Sequence, residues 1–192
     1  MTAGPRDRLI DSAIALIRER GVHATGLADL LEHSGTARAS VYQHFAGGKS
    51  GLVEEATRVA GLRMDEFLAT LLGSRDPVGA LRSLVRWWRT TLRETDFAVG
   101  CPVVAAALAG ADTPSAREAA AQAFATWERR LARAFAAGGL DGESARSLAG
   151  FVVSALEGAI VQARATRSVR PLDDAERQLT WLVGGYLTPP AT

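Results

Sequence analysis

Apolar residues recur every three or four positions along almost the whole chain, and no run of residues alternates between apolar and polar as a half-buried strand does. Glycine and proline residues divide this pattern into nine segments with helical start and stop signals. One long segment without a proline extends from Lys49 to about Leu72. The sequence therefore predicts an all-α protein of about nine helices.

The segment from Gly35 to Lys49 separates its side chains by direction. On a helix that turns by about 100° per residue, Val41 and Phe45 share one side. The opposite side carries Ala39, Ser40 and Gln43, and the two flanks carry Tyr42 and His44. One face is therefore expected to pack in a core, the opposite face can enter a DNA major groove, and the flanks can contact phosphates.

A shorter helix is predicted just upstream, with Thr25 as its N-cap, Asp29 in its first turns and Gly35 as its stop. Two helices joined by a short turn that contains glycine form a helix-turn-helix. The simpler interpretation is an ordinary pair of core helices, but the separation of side chains by direction favours the DNA-binding interpretation. A first helix over residues 5 to 20 is expected to cover the apolar side of the recognition segment.

The residues of this region carry a family resemblance. The string Val41-Tyr42-x-His44-Phe45, followed by Lys49 and preceded by Thr25 and Gly35, resembles the N-terminal domain of the TetR family of transcriptional regulators. Three residues separate Phe45 from Lys49, where the family usually has two. This Gly-Gly form, together with Gly-Cys-Pro at residues 100–102, is similar to the LmrA/YxaF-like branch of the family.

The resemblance implies a division of the chain and a function. Residues 1–50 would form a helix-turn-helix DNA-binding domain, and residues 51–192 a helical ligand-binding and dimerisation domain reached through one long helix. Such a protein represses transcription by binding a pseudo-palindromic, double-stranded DNA operator as a homodimer, and a small hydrophobic or aromatic effector releases it. The alternative is a DNA-binding regulator or activator whose pocket is degenerate and holds no ligand.

Roles in DNA binding follow from the resemblance and the helix geometry together. The residues expected to face bases are Arg38, Ala39, Ser40 and Gln43, and those expected to hold phosphates are Thr25, Tyr42, His44 and Lys49. Because the chain contains no asparagine, Gln43 is the one recognition-helix amide able to make a bidentate contact to adenine.

An apolar ligand cavity is predicted among the long connecting helix and the helices that follow it. Its expected apolar lining is Met64, Phe67, Trp88, Val104, Leu108, Phe124, Trp127 and Phe151, and its polar candidates are Cys101, Ser154 and Glu157. The simpler interpretation of each tryptophan is ordinary core, and the simpler interpretation of Cys101 is inert packing instead of a thiol sensor. Glu157 interrupts an apolar run, so it either forms an ion pair at an interface or anchors a polar or cationic ligand.

Small residues recur at every fourth position of the penultimate helix, at Gly150, Ser154 and Gly158. Such a face permits either tight packing within the chain or close approach of a second subunit. The resemblance favours the second interpretation, because TetR proteins build a four-helix interface from their last two long helices. The predicted interface residues are Gly150, Leu156, Gly158, Ile160, Leu179, Leu182, Val183 and Tyr186.

Composition narrows the other possibilities. The net charge is only +1, and residues 1–52 contain six Arg or Lys against five Asp or Glu, so DNA affinity must depend on where the charges lie. One cysteine excludes an internal disulfide or a CxxC site. With 47% hydrophobic and 22% charged residues, no signal sequence and no uninterrupted apolar stretch of about 18 residues, a cytoplasmic protein without membrane attachment is expected.

An enzyme on an all-α body is the competing class of function. All three histidines lie within the first 44 residues, which leaves none for an active site in the larger domain. The chain also lacks the GxSxG, HExxH and phosphate-loop motifs and any cluster of metal ligands. We therefore expect no catalytic activity, no cofactor and no metal.

Overall fold

The computed structural model describes residues 4–110 and 113–187, and every regular element within them is a helix. The all-α prediction is confirmed. The helices are α1 (Pro5–Arg20), α2 (Leu27–Ser34), α3 (Arg38–His44), α4 (Lys49–Leu72), α5 (Pro77–Glu94), α6 (Pro102–Ala107), α7 (Pro114–Ala137), α8 (Gly142–Thr166) and α9 (Arg170–Leu187).

Several helices begin where the sequence supplies a cap. Asp76 accepts a hydrogen bond from the Gly79 N–H at 2.9 Å, and Asp141 accepts two from the first turn of α8, each at 3.0 Å. The N-cap predicted at Thr25 is wrong, because α2 is capped at Gly26, whose N–H donates to Asp29 at 2.9 Å. The Thr25 hydroxyl instead donates to the Gly21 carbonyl at 2.7 Å.

The short helix α6 contains only proline, valine and alanine, yet it is not fully enclosed. Val103 and Ala106 are buried, whereas Leu108, directly after the helix, is 78% exposed. An apolar helix can leave one side in water when a single row of residues on the other side anchors it.

Contacts between Cα atoms divide the chain into two compact units. The first comprises Met1–Arg63 and Gly100–Ala123, and the second comprises Met64–Val99 and Phe124–Thr192. Helices α4 and α7 each begin in the first unit and end in the second. The functional division between residues 50 and 51 stays a prediction, because compactness and function are separate criteria.

Helix α1 organises the first unit by packing against α2, α3 and α6. Leu9 and Ile17 of α1 are buried together with Leu30 of α2 and Val41 of α3. The apolar side of the recognition segment is thus covered as expected. The backbone N–H of Gly100, just before α6, donates to the Arg18 carbonyl of α1 at 2.7 Å.

The first unit also contains an ion cluster centred on Glu55 of α4. Its carboxylate accepts hydrogen bonds from Arg58, with Nε 2.9 Å from Oε2, and from Arg6 of α1. The hydrogen bond from Arg58 is the main reason that the pKa of Glu55 lies below its usual value, and the hydrogen bond from Arg6 acts in the same direction.

This cluster predicts a pH dependence of stability. Because the folded-state pKa of Glu55 is depressed, its contribution is present above the unfolded-state pKa and is lost as pH falls through the folded-state pKa. Glu55→Gln should lower the free energy of unfolding at pH 7 by at most about 1 kcal/mol, and the difference should close in acid. Urea unfolding of both proteins from pH 7 down to strongly acidic pH would measure it. Glu66→Gln, an exposed change on the same helix, is the control, and an unchanged pH dependence in Glu55→Gln would contradict the prediction.

Helices α5, α7, α8 and α9 supply the core of the second unit, with Leu81, Phe135, Val152, Leu179 and Val183 at its centre. Among the described residues, α8 is the one helix long and apolar enough to span a membrane. Core helices of soluble proteins meet the same criterion, so this property alone is weak evidence for a membrane.

Candidate functional site

Helix α3 presents the predicted DNA-reading face to solvent. Val41 and Phe45 are buried on its inner side. The outer side carries Arg38, Ala39, Tyr42, Gln43 and His44, all exposed, and Ser40, which is partly exposed. The structure therefore brings together on one surface the four residues predicted to face bases and two of those predicted to hold phosphates.

Gly35 sets the angle between α2 and α3. Its φ of 61° lies in the left-handed region, which glycine adopts without strain. The N–H of Thr36 donates back to the Leu31 carbonyl at 3.3 Å, which closes the last turn of α2. A second bond, 2.8 Å between the Ser34 and Thr36 hydroxyls, holds the turn that leads into the recognition helix.

The turn between α3 and α4 accommodates its additional residue through glycine. Gly47 and Gly48 have φ values of 79° and 64°, which residues with a Cβ rarely adopt. A Cβ on Gly48 would lie 2.9 Å from Cε1 of Tyr42, so the tyrosine ring packs directly against the backbone of this turn. Tyr42 is nevertheless 59% exposed, which leaves part of its side chain available to a phosphate.

Gly51 is a positioning residue that the sequence analysis did not identify. A Cβ at this position would lie 1.9 Å from the Ala46 carbonyl oxygen, so the first turn of α4 can lie this close to Ala46 only because residue 51 has no side chain. A glycine inside an otherwise helical segment is the signal that could have identified it.

The remaining phosphate-contact candidates differ in exposure. Lys49, at the start of α4, is partly exposed, and its Nζ lies 3.5 Å from the Val22 carbonyl. Thr25 is fully buried with its hydroxyl bound to the chain, so the structure does not place it at the surface that a phosphate contact requires. Arg6 was not singled out from the sequence, yet its guanidinium lies 5.9 Å from the centre of the Phe45 ring at the end of α3.

The second unit contains a small cavity of about 30 Å³. It is lined by Met64, Leu68, Leu84, Trp88, Trp127, Leu131, Val152, Val153, Leu156 and Glu157. Four of these, Met64, Trp88, Trp127 and Glu157, were predicted to line a ligand cavity. The Oε2 atom of Glu157 has less than 1 Å² of accessible surface, so a carboxylate oxygen lies within a lining that is otherwise apolar.

The other seven residues predicted to line the cavity lie elsewhere. Phe124 packs against Trp127 of the lining at a ring-centre distance of 5.3 Å, whereas Phe67 packs at 5.4 Å against Trp87, which does not line the cavity. Phe151 and Ser154 are exposed on the side of α8 that faces away from the cavity. The last three, Cys101, Val104 and Leu108, belong to the first unit, because α6 packs against α1.

Cys101 is buried beside the half-buried guanidinium of Arg18. Burial lowers the pKa of Arg18, and the nearby Cys101 opposes that shift. Within residues 4–110 and 113–187, no group of His, Cys, Asp and Glu side chains could hold a metal ion.

Helices α8 and α9 carry an exposed apolar surface. Its large members are Phe151, Val161, Trp181 and Tyr186, of which Trp181 is 75% exposed. An open groove of about 650 Å³ runs along it, lined by Phe151, Ser154, Ala155, Gly158, Ala159, Gln162, Arg170, Pro171, Asp174, Ala175, Gln178 and Leu179. A Cβ on Gly158 would have no described atom within 4 Å, so no helix among the described residues occupies the small-residue face at this point.

The predicted interface residues divide between this surface and the core. Gly150, Gly158 and Leu182 are partly exposed and Tyr186 is exposed. Leu156, Ile160, Leu179 and Val183 are buried within the chain, so the structure does not offer them to a partner. Trp181 was missed, because periodicity assigns a large apolar residue to the core unless the neighbouring helices are known.

Both parts of the chain match known families. Residues 9–56 match the family described as bacterial regulatory proteins, tetR family. Residues 77–178 match the family described as transcriptional regulator LmrA/YxaF-like, C-terminal domain. These matches include the recognition helix and most of the second unit.

Whole-chain relatives agree with the family matches. The uncharacterized HTH-type transcriptional regulator Rv0196 of Mycobacterium tuberculosis is 40% identical over 183 residues, with 92% of each chain covered. The uncharacterized HTH-type transcriptional regulator YxaF of Bacillus subtilis is 27% identical over 180 residues, which covers 93% of this chain and 94% of YxaF.

Solved structures share the fold. Regulatory protein TetR from Rhodobacter sphaeroides is 23% identical with a TM-score of 0.79, over 92% of this chain and 97% of that one. A TetR transcriptional regulator from Legionella pneumophila is 20% identical with a TM-score of 0.82, over 94% and 98%. At these identities the likeness concerns the fold alone.

Proposed function

Because the chain belongs to the TetR family of transcriptional regulators, we propose that it is a cytoplasmic, homodimeric repressor of transcription that a small hydrophobic or aromatic effector releases from DNA. The observation that carries this proposal is the outer face of α3, where six side chains suited to DNA contact are accessible while Val41 and Phe45 anchor the helix. An ordinary core helix would not keep Arg38, Tyr42, Gln43 and His44 in water.

Contacts to DNA divide into two kinds. Gln43 and Arg38 can donate to base edges in the major groove, and the Gln43 amide fits adenine. Tyr42, His44 and Lys49 reach phosphates, which fix the position of the helix without sequence preference. A pseudo-palindromic operator requires two such helices about 34–36 Å apart, which only a dimer supplies.

The surface of α8 and α9 supports the dimer. Phe151, Val161, Trp181 and Tyr186 expose apolar area that a second copy would cover, and Gly158 leaves room for close approach. In a dimer with two-fold symmetry, this surface of one subunit contacts the same surface of the other.

Effector release is proposed to act through α4. This helix begins at Lys49 beside the recognition helix and supplies Met64 and Leu68 to the cavity of the second unit. An effector that displaces Met64 would shift the position of α4, and this shift would change the distance between the two recognition helices. By linkage, the effector must bind free protein more tightly than operator-bound protein.

The second candidate is a DNA-binding regulator or activator whose pocket is degenerate. The small volume of the cavity, about 30 Å³, favours it, because drug-sized ligands occupy several hundred Å³. A panel of aromatic compounds that leaves DNA binding unchanged would support this alternative over the effector-released repressor.

Gel shifts on the DNA that flanks its own gene test the DNA-binding roles. Lys49→Ala should weaken binding similarly on all sequences and lower the slope of log affinity against log salt by about one unit for each phosphate that the lysine no longer neutralises. Gln43→Ala should instead change which sequence is preferred, because it removes the amide that reads a base. If Lys49→Ala changed sequence preference and Gln43→Ala did not, the two roles would be reversed.

A further inference from the structure

Phe45, the residue that ends the recognition helix α3, is contacted by a charged side chain of α1. We propose that this side chain, Arg6, is a positioning residue for α3. In this arrangement Glu55 of α4 orients the Arg6 guanidinium, and the guanidinium holds the ring of Phe45 in place. The inference rests on the proposed DNA-reading role of α3 and specifies what keeps that helix in position.

Helix α3 has few means of fixing its own position. It contains seven residues, and a helix of this length is unstable in water unless other elements hold it. Its N-cap, Ala37, has a methyl side chain that cannot accept a hydrogen bond from the first turn, and Val41 is its one buried residue. Phe45 is only 4% exposed and supplies a second anchor. The position of this ring therefore affects how the exposed face of α3 is presented.

Arg6 contacts the ring from the first turn of α1. Its guanidinium carbon lies over the ring of Phe45, 5.9 Å from the ring centre, which is within the range of a cation–π interaction. The same guanidinium donates a hydrogen bond to the Glu55 carboxylate. Arg6 thereby connects α1, α4 and the end of α3.

A second arginine holds Glu55 in place. Arg58, one turn later on α4, donates to the carboxylate with Nε 2.9 Å from Oε2, and the Glu55 side chain is only 17% exposed. The other acidic neighbour of Arg6 is Asp7, which is more distant, with Nη1 3.9 Å from Oδ1, and is 62% exposed. Glu55 is therefore the acceptor that determines where the Arg6 guanidinium lies.

This role leads to an expectation opposite to that from charge alone. DNA is a polyanion, so removing the negative charge of Glu55 from the unit that carries α3 would by itself strengthen binding. If Glu55 orients Arg6, Glu55→Gln should instead weaken binding to the operator, because Arg6 loses the carboxylate that directs it to Phe45. The direction of the change therefore distinguishes positioning from electrostatic attraction.

The test is fluorescence anisotropy with two DNA duplexes of equal length, an operator selected from random sequences by the parent protein and an unrelated sequence. We expect Glu55→Gln and Arg6→Gln each to lower the ratio of operator affinity to unrelated-sequence affinity by at least about fivefold. The two effects should not add in the double variant, because both changes disrupt the same contact. Arg6→Lys keeps a cation beside the ring and should retain part of the ratio.

Asp11 and Arg63 provide the matched controls. They form another ion pair between α1 and α4, at 2.7 Å, and both side chains are exposed. Asp11→Asn and Arg63→Gln remove the same charges as the two test variants, about two turns further along α4 from Glu55. Both controls should leave the affinity ratio unchanged.

Two results of the binding measurements would overturn the positioning role. One is an operator affinity in Glu55→Gln that equals or exceeds that of the parent protein. The other is an Arg6→Gln variant that weakens binding to both duplexes equally and lowers the slope of log affinity against log salt by about one unit per subunit, because this is the behaviour of a phosphate contact.

Hydrogen exchange of the free protein separates this inference from the proposed function. In Arg6→Gln, the backbone amides of residues 38–48 should exchange at least about fivefold faster than in the parent protein, whereas those of α2 should keep their rates and so show that the unit remains folded. If the parent protein selects no preferred sequence, the DNA-reading function fails, and hydrogen exchange alone decides whether Arg6 holds α3. Unchanged exchange in residues 38–48 would overturn the inference even if the parent protein binds an operator.

Discussion

Replacing Gly158 by Leu is expected to separate the proposed dimer into folded monomers. A Cβ at this position meets no described atom of its own chain within 4 Å, so the larger side chain does not disturb the monomer. Gly158 lines the groove between α8 and α9, where a partner's helix would have to approach closely. Overpacking a close contact costs about 1–3 kcal/mol, and two-fold symmetry applies the cost in both subunits.

Sedimentation equilibrium measures the effect, and we expect the dimer dissociation constant to rise by about a hundredfold. Ala121→Leu is the matched control, since it adds the same side chain at an exposed site of α7, outside the proposed interface. Circular dichroism should show both variants to be as helical as the parent protein. An unchanged dimer in Gly158→Leu would remove this surface as the interface.

The helices were predictable because local signals determine them. Pro5, Pro77, Pro102 and Pro114 begin four of them, and glycine or a polar cap stops or starts most others. The exception at α2 is instructive, because Thr25 and Gly26 are both acceptable N-caps. Thr25 is buried and its hydroxyl donates to the Gly21 carbonyl four residues earlier, so it does not cap α2.

The exposed face of α3 was predictable for a similar reason. It lies on one short helix, and the angles between its residues follow from the backbone alone. Once Val41 and Phe45 pack inward, the positions of Ala39, Gln43 and Tyr42 are determined. No knowledge of any other helix is needed.

The cavity and the proposed interface were less predictable, because both involve α8. This helix is apolar on most of its circumference, so periodicity does not say which side meets α7 and which side meets solvent. Phe151 and Ser154 were predicted to line the cavity and Leu156 to lie at the interface, whereas Phe151 and Ser154 line the open groove of α8 and α9 and Leu156 lines the cavity. The contacts of α8 with α5 and α9 determine which side of α8 faces the core.

The turn between α3 and α4 shows how strongly a backbone contact can constrain function. The Ala46 carbonyl lies against the first turn of α4 at Gly51. A Cβ on Gly51 would lie 1.9 Å from the carbonyl oxygen and 3.1 Å from the carbonyl carbon. Both atoms belong to the backbone, so no rotation of a flexible side chain can relieve the contact. Any side chain at this position must move either α4 or the end of the recognition helix.

Gly51→Ala should therefore reduce operator affinity by about a hundredfold or more, because displacing a recognition helix disrupts binding to several bases and phosphates, each base pair being worth about 1–3 kcal/mol. The first unit should also unfold more readily, since overpacking costs about 1–3 kcal/mol. Gel shifts on the operator and thermal unfolding measure the two effects. Gly142→Ala is the matched control, because this glycine also lies in the first turn of a helix and a Cβ there meets only the end of the Arg146 side chain at 3.5 Å. Operator affinity equal to that of the parent protein in Gly51→Ala would mean that the recognition helix does not depend on this contact for its position.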